Sequence, residues 1–357
     1  MSVEVSYKKQ FVFGLLMLCV LLASIEIILR VADYYNPNCN FMDSDVFSNV
    51  DAETKRKICL DNDSLKWNTV PNLHLIPNQN LDTININNDG FRGKEIQTPK
   101  DTDTFRIFIV GGSTTFGVGS TSDNSSIPGE LQQMMNSLDD TKKIEVINAG
   151  IPKAYSFTEI NLIHNKLLNY QPNLIIVYDG WNDIHRPFNE YDKKINNSSY
   201  EQFLQLIITN DFYKTAKIIL KNVININNQD SISNFDSNMI NQKVDLWKTN
   251  WNNLCEKMEN KNIDVILTLQ PLVGTGNKIM TPEEEIHFTK NDHITMLQSY
   301  DQYSKSLLYL DKCSQAIDLQ NIFDDYDNTI FYDGGHVSDN GNKIVAKKLY
   351  EIILEYI

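Results

Sequence analysis

Basic residues are scarce in this 357-residue chain: 32 Lys and Arg stand against 46 Asp and Glu, a formal charge of −14. A nucleic-acid interface needs a Lys/Arg excess to replace the phosphate counterions, so that class is excluded. Cysteine is scarce as well. Five in a chain of this length cannot make a disulfide scaffold. No internal repeat is evident, and neither a G-x-x-x-x-G-K-[ST] loop nor a G-x-G-x-x-G loop occurs. The apolar share of 41% excludes a disordered chain. The length suits one large domain or two small ones with a proper core.

Long apolar runs are scarce too, with one exception. Residues 11–29 (FVFGLLMLCVLLASIEIIL) are apolar apart from Ser24 and Glu26. About 20 such residues span a bilayer core. Lys8 and Lys9 precede the run, which predicts a cytoplasmic N-terminus and a chain exported from about Asp33 on. The rival reading is a cleaved signal peptide. Its apolar region is ~7–15 residues and ends in a small-x-small site; Leu21-Leu22-Ala23-Ser24 is a poor version of that site, and the apolar run continues past it. Leu18 before Cys19 does not suit a lipoprotein box, and a buried core helix does not suit a run of this length. An uncleaved single-pass anchor is expected, with the membrane as partner. Four cysteines then lie outside. Their simplest pairing is Cys39–Cys59 with Cys255–Cys313, and buried free thiols are the alternative. Asn62, Asn124, Asn196 and Asn197 begin N-x-S/T triplets, relevant only if the host glycosylates exported proteins.

The pattern divides the chain into a cytoplasmic tip and anchor (1–32), a polar connector with short strands (33–104), and a domain from 105 to 357. The connector is rich in Asn and Asp, lacks helical periodicity, and is punctuated by Pro71, Pro77 and Gly90-Phe91-Arg92-Gly93. From Phe105, short apolar runs predict strands buried on both faces: 105–110, 144–147, 174–178, 264–269 and 316–319. Helical stretches alternate with them. Ser156-Phe157-Thr158-Glu159 reads as a capping box opening a helix through Ile160, Ile163, Leu167 and Leu168 that Pro172 stops. Val244, Trp247, Trp251, Leu254, Cys255 and Met258 keep helical spacing, as do Ile344, Val345, Leu349, Ile352 and Ile353. Alternating strands and helices predict an α/β fold: a parallel sheet covered on both sides. The stretch at about 184–243 is too long for a plain connection and reads as a lid or insertion. Its apolar residues, among them Phe203, Leu204, Phe212 and Tyr213, read as core in preference to a cover for an acyl chain.

Sites in such sheets lie in the loops beyond the carboxyl ends of the strands. The first strand ends in Gly111-Gly112-Ser113-Thr114-Thr115. A serine on a tight glycine turn near backbone N–H groups suits an acyl-accepting nucleophile. A phosphate-cradling turn lacks its Lys here, and a G-x-S-x-G elbow lacks its last Gly. The second strand ends in Asn148-Ala149-Gly150 and the third in Gly180-Trp181-Asn182-Asp183. Each can be a plain turn, or the Gly150 N–H and the Asn182 amide can join the Ser113 N–H in stabilising an oxyanion. Thr114 and Trp181 are further candidates for contacting substrate, Trp181 by stacking on a sugar or else by packing inward. Before the last helix stands Asp333-Gly334-Gly335-His336. An Asp three residues before a His can hold its Nδ1–H and leave Nε2 to take a serine proton. The alternatives are a helix cap for Asp333 or a metal pair helped by Asp183 and His185.

These four blocks, in this order, resemble the SGNH hydrolases of the GDSL esterase/lipase superfamily. The resemblance covers about Phe105 to Ile357. Ser113 falls on the family's nucleophile, Gly150 and Asn182 on its oxyanion donors, and Asp333 and His336 on its D-x-x-H. Gly-Gly-Ser-Thr replaces the typical Gly-Asp-Ser-Leu. Membrane-anchored members with a G-F-R-G segment ahead of a GGST loop look most similar. The resemblance implies a three-layer α/β/α flavodoxin-like sandwich, no metal and no organic cofactor. The expected activity is that of an extracytoplasmic serine esterase acting on O-acyl, above all O-acetyl, esters of carbohydrate or glycolipid. Alternatives are an O-acyltransferase on surface polysaccharide, a lysophospholipase or thioesterase-type lipid hydrolase, a non-catalytic glycan-binding scaffold, and a phosphate- or nucleotide-binding protein. The acidic balance also disfavours adhesion to anionic lipid heads, so the tether would hold the protein at the membrane.

Overall fold

The computed structural model describes residues 6–35, 39–68, 73–138, 143–185 and 237–357. Residues 186–236 of the expected insertion, with Phe203 to Tyr213 and the Asn196 and Asn197 triplets, lie outside the described residues. The described residues divide between two compact units, one holding residues 6–35 and 39, the other residues 40–185 and 237–357 so far as they are described. In the first, α1 (Tyr7–Tyr35) is a single helix, and its stretch Tyr7–Ala32 is long and apolar enough to cross a membrane. Its one acidic residue in the apolar run, Glu26, pairs with Arg30 one turn on (2.8 Å).

The second unit is built on five parallel strands: β1 (Thr104–Gly111), β2 (Lys143–Gly150), β3 (Leu174–Asp179), β4 (Asp264–Leu269) and β5 (Gln315–Asp318), in the order β2-β1-β3-β4-β5. β4 coincides residue for residue with its apolar run, whereas β2 runs three residues further, through Gly150. Around the sheet stand α2 (Ala52–Ser64), α3 (Ser113–Phe116), α4 (Ile127–Met135), α5 (Ser156–Asn165), α6 (Trp181–His185), α7 (Ser237–Glu259), α8 (Pro282–Phe288), α9 (Asn291–Ser306) and α10 (Asp339–Ile353). Alternate residues of each strand feed opposite layers. Phe108, Val110, Val177 and Leu267 pack with Ile163 of α5, Trp247 and Trp251 of α7, and Tyr300 and Tyr303 of α9. Ile107, Ile109, Ile176 and Ile266 pack with Leu131 of α4 and Val345, Leu349 and Ile353 of α10. Each such side chain, fully buried, contributes about 1.5–3 kcal/mol. The result is the expected α/β/α sandwich, with the runs of β1, β3 and β4 buried on both faces. The expectation is corrected for the edge strands β2 and β5, whose runs are largely half-buried because each has a neighbour on one side only.

Two local expectations are corrected. The connector contains α2, whose sequence is too polar to show a stripe; Asp51 starts it by accepting the Thr54 N–H (3.0 Å). At α5, Ser156 is the first helical residue and not the cap. Thr158 Oγ1 accepts the Tyr155 N–H (2.9 Å), while the Ser156 N–H and hydroxyl donate to Asp183 (3.0 and 2.5 Å).

The connector is fastened to the sandwich by two buried guanidiniums. Arg92 donates to the carbonyls of Thr83, Phe116 and Gly117 and to Asp123, and its backbone bridges Asn148 on the outer edge of β2. Arg106 on β1 donates to Gln97 O, Tyr170 O and Glu145.

Cys255 of α7 and Cys313 just before β5 are bonded to each other, as the simplest pairing has it. Cys39 and Cys59 are each disulfide-bonded too, and Cys19 is a free thiol in α1. The Cys255–Cys313 bond closes a loop of 58 residues. Replacing both cysteines by alanine is expected to lower the unfolding free energy by about 2–5 kcal/mol, measured by urea titration. An unchanged midpoint would show that the bond does not restrain the unfolded chain.

Candidate active site

The carboxyl ends of β1, β2 and β3 bring three of the four sequence blocks to one edge of the sheet, where crowding dictates the residues. A Cβ on Gly111 would fall on Thr115 Oγ1 and the Tyr178 carbonyl, and one on Gly112 would fall on Asn182 Nδ2. Only glycines permit that approach. Directly after them Ser113 opens the single turn α3, which ends at Gly117 in a left-handed conformation (φ 92°). The Ser113 N–H, in the first turn, has no intrahelical acceptor.

The fourth block arrives from the loop before α10. Asp333 closes its own turn: Oδ1 accepts the N–H groups of Gly335 (3.0 Å) and His336 (2.8 Å), and Oδ2 accepts His336 Nδ1–H (2.7 Å). A carboxylate on Nδ1 requires the proton there, so Nε2 is an acceptor, and Ser113 Oγ lies 2.7 Å from it. Ser113, His336 and Asp333 therefore form one hydrogen-bonded line. Burial opposes ionisation of Asp333, but His336 beside it and the three hydrogen bonds outweigh that and hold the carboxyl at about 2. Trp181 lies against this turn. Its ring centroid is 4.9 Å from that of His336, and a Cβ on Gly335 would enter its ring.

The remaining expected residues are placed unevenly. Asn182 comes to the Ser113 turn and donates Nδ2–H to the Ala154 carbonyl (2.6 Å), which leaves its second N–H for another acceptor. Gly150 departs from expectation. Its N–H donates to Asn148 Oδ1 (3.0 Å), so it is not open to an oxyanion in this arrangement. What demands glycine there is packing, because a Cβ would fall on the Phe116 N–H. Thr114 turns inward. It is buried, and its hydroxyl donates to Gln270 Oε1 (3.4 Å), so it does not face substrate. Asp183 is occupied by Ser156, and among the described residues no group of three or more His, Cys, Asp or Glu is placed to hold a metal. Sequence reasoning missed Gln270, at the end of β4, and Tyr332, whose ring lies parallel to that of His336. Tyr332 had one signal, its position just before Asp333.

Residues 107–349, well over half of the chain, match the GDSL-like Lipase/Acylhydrolase family. The chain belongs to that family. As a GDSL-like acylhydrolase it is an ester-bond hydrolase, and the matched span contains all four blocks. No curated protein matches the chain by sequence. Similar solved structures include an acetyl xylan esterase, 16% identical over 70% of this chain and 100% of that one (TM-score 0.43). Another is an acetylxylan esterase from Geobacillus stearothermophilus, 13% identical over 70% and 94% (TM-score 0.41). A third is a two-domain esterase active on acetylated mannans, 13% identical over 71% and 49% (TM-score 0.41).

The Asp333 geometry has a consequence for stability. Its folded value of about 2 lies below the ordinary 3.8, so its contribution is fully present above 3.8 and is lost as pH falls through about 2. Urea midpoints measured from pH 4 down to pH 2 are expected to fall more steeply in the wild type than in Asp333→Asn. Equal slopes would show that the carboxylate gains nothing from its partners.

Proposed function

We propose that this GDSL-like acylhydrolase is a membrane-anchored serine esterase in which His336, oriented by Asp333, takes the proton from Ser113 Oγ as it attacks an ester carbonyl. The observation that carries the reading is the pair of 2.7 Å hydrogen bonds in line, Ser113 to His336 to Asp333. The attack forms the Ser113 Oγ–acyl carbon bond and moves the carbonyl electrons onto oxygen. The Ser113 N–H and Asn182 Nδ2 stabilise that oxyanion, and each donor contributes about 3 kcal/mol to the transition state. Gly150 joins them only if its N–H leaves Asn148. The imidazolium then returns the proton to the departing alcohol. Water, deprotonated by the same nitrogen, releases the acid and regenerates the serine.

The substrate we infer is an O-acyl ester, above all O-acetyl, on carbohydrate or glycolipid outside the cytoplasm. Three features support that location: Lys8 and Lys9 ahead of the apolar helix, the apolar stretch Tyr7–Ala32 itself, and a disulfide between Cys255 and Cys313, a bond that persists in oxidising compartments. In this layout residues 1–32 anchor, 33–104 connect, and 105–357 carry the chemistry.

Ser113→Ala is expected to cut p-nitrophenyl acetate hydrolysis by ~10³-fold or more and to abolish fluorophosphonate labelling, with the melting temperature retained. Turnover that survives the substitution would overturn the nucleophile. An acyl series from acetyl to long chain is expected to show highest kcat/KM at acetyl. A maximum at long chains would shift the substrate to lysolipids.

A further inference from the structure

The ring of His336 is braced by aromatic residues that begin in the connector. Tyr332, only 3% exposed, lies parallel to His336 (interplanar angle 9°, centroids 5.6 Å apart). Its hydroxyl donates to the Val118 carbonyl (2.7 Å), and the Val118 N–H in turn donates to the Ser113 carbonyl (3.0 Å). Its own N–H donates to the His336 carbonyl (3.1 Å). One residue therefore touches the elements that carry both Ser113 and His336. Space for it is reserved at Gly119 (φ 84°), where a Cβ would press on the Tyr332 hydroxyl.

Tyr332 is held by residues 40–47. Phe41 stacks on it (24°, 5.1 Å), and Phe47 packs against both rings at 5.3 Å from Tyr332 and 6.1 Å from Phe41. Phe47 is buried, as is Met42. The segment has a second hold. The Asp45 N–H donates to Glu283 on α8 (3.0 Å), and the next residue, Glu284, accepts the N–H groups of Ile330 and Phe331 (3.0 and 3.3 Å), the two residues ahead of Tyr332. In the sequence only residues 36–39 separate this segment from α1.

We propose that residues 40–47 are part of the active-site framework. Phe41 and Phe47 hold the Tyr332 ring against the His336 imidazole, which makes Tyr332 the positioning residue that keeps the base opposite Ser113. This rests on the reading of His336 as the base. An imidazole with a flat ring against it has fewer rotations open to it. A shift of about 1 Å in such a group costs up to ~10²-fold in rate. The stretch that leaves the membrane helix is thereby a working component of the hydrolase and not a passive spacer.

The test uses the full chain in detergent micelles with p-nitrophenyl acetate. Phe41→Ala is expected to lower kcat ~10-fold with KM little changed. It should also move the acidic limb of the kcat/KM–pH profile, which reports the base of the free enzyme. Phe41→Tyr, which keeps a ring in place, restores both. Tyr332→Phe, losing only the hydroxyl tie to Val118, falls between wild type and Tyr332→Leu. Wild-type kcat and an unmoved limb in Phe41→Ala, alongside an inactive His336→Ala, overturn the framework role while leaving His336 as base. An active His336→Ala instead overturns the reading beneath it. Should Phe41→Ala fail to fold, Phe41→Leu supplies bulk without an aromatic face, and wild-type behaviour there overturns the proposal equally.

Discussion

The hydrogen bond from Ser113 Oγ to His336 Nε2 joins residues 223 positions apart, and the remaining features of the site exist to make its 2.7 Å possible. A parallel sheet solves the first half of the problem, since successive strands all end on one edge and deliver their loops to a common place. Crowding solves the second. Gly111 and Gly112 let α3 sit hard against β3 and Asn182, and Gly335 lets the Asp333 turn sit against Trp181. Each glycine removes a Cβ that would push one end of the bond away from the other. Tyr332 then ties the two ends directly, through its ring to His336 and through its hydroxyl to the turn after Ser113. Catalytic geometry tolerates errors of about half an ångström, which only residues locked by packing and by further hydrogen bonds achieve.

Much of this was legible from residue order. The central strands β1, β3 and β4 announce themselves as apolar runs because both of their faces are buried, and α7 and α10 announce themselves because one face is. Ser113 and Asn182 could be picked out from turns at strand ends, and Asp333 with His336 from their three-residue spacing; the structure brings these turns together. The misreadings have one physical source: polar groups choose partners that sequence spacing does not reveal. Gly150 was read as a donor to an oxyanion, yet Asn148 two residues back captures its N–H. Ser156 was read as a helix cap, yet Asp183, 27 residues on, takes both its N–H and its hydroxyl. Thr114 was read as facing substrate, but in a one-turn helix the next side chain points inward, to Gln270. Phe41 and Phe47 carried no signal, because isolated aromatics in a polar connector have no period to betray a packing partner.

Scarcity of basic residues makes the use of those that are buried informative. Arg92 and Arg106 are almost wholly withdrawn from water. A guanidinium offers five N–H donors in a fixed plane, so it can satisfy several carbonyls at once where a lysine could not. Each does so between elements far apart in sequence: Arg92 between Thr83 and the Phe116–Gly117 turn, Arg106 between Gln97 and Tyr170. Each also meets one carboxylate, Asp123 or Glu145. Removing either carboxylate would strand a buried charge, which is costlier than never having buried it. The later part of the connector, Thr83 to Gln97, is thus tied to the sandwich at two buried points.

The same reasoning applies with opposite sign behind Asn182. Glu159, Asp179 and Asp183 are all buried within one region of α5, β3 and α6. Burial, reinforced by the neighbouring carboxyls, raises Glu159 and Asp179 well above the usual carboxylate range. Burial and mutual repulsion disfavour the charged forms of Glu159 and Asp179 in that space. Asp179 meets the indole N–H of Trp247 (3.2 Å), and Asp183 holds the start of α5, which fixes both ends of the Gly180-Trp181-Asn182 turn between them. Asn182 is therefore positioned by carboxyls on either side of it in the chain, and a half-buried cation stands at the same turn, Lys243, whose Nζ donates to the Ile184 carbonyl (2.7 Å).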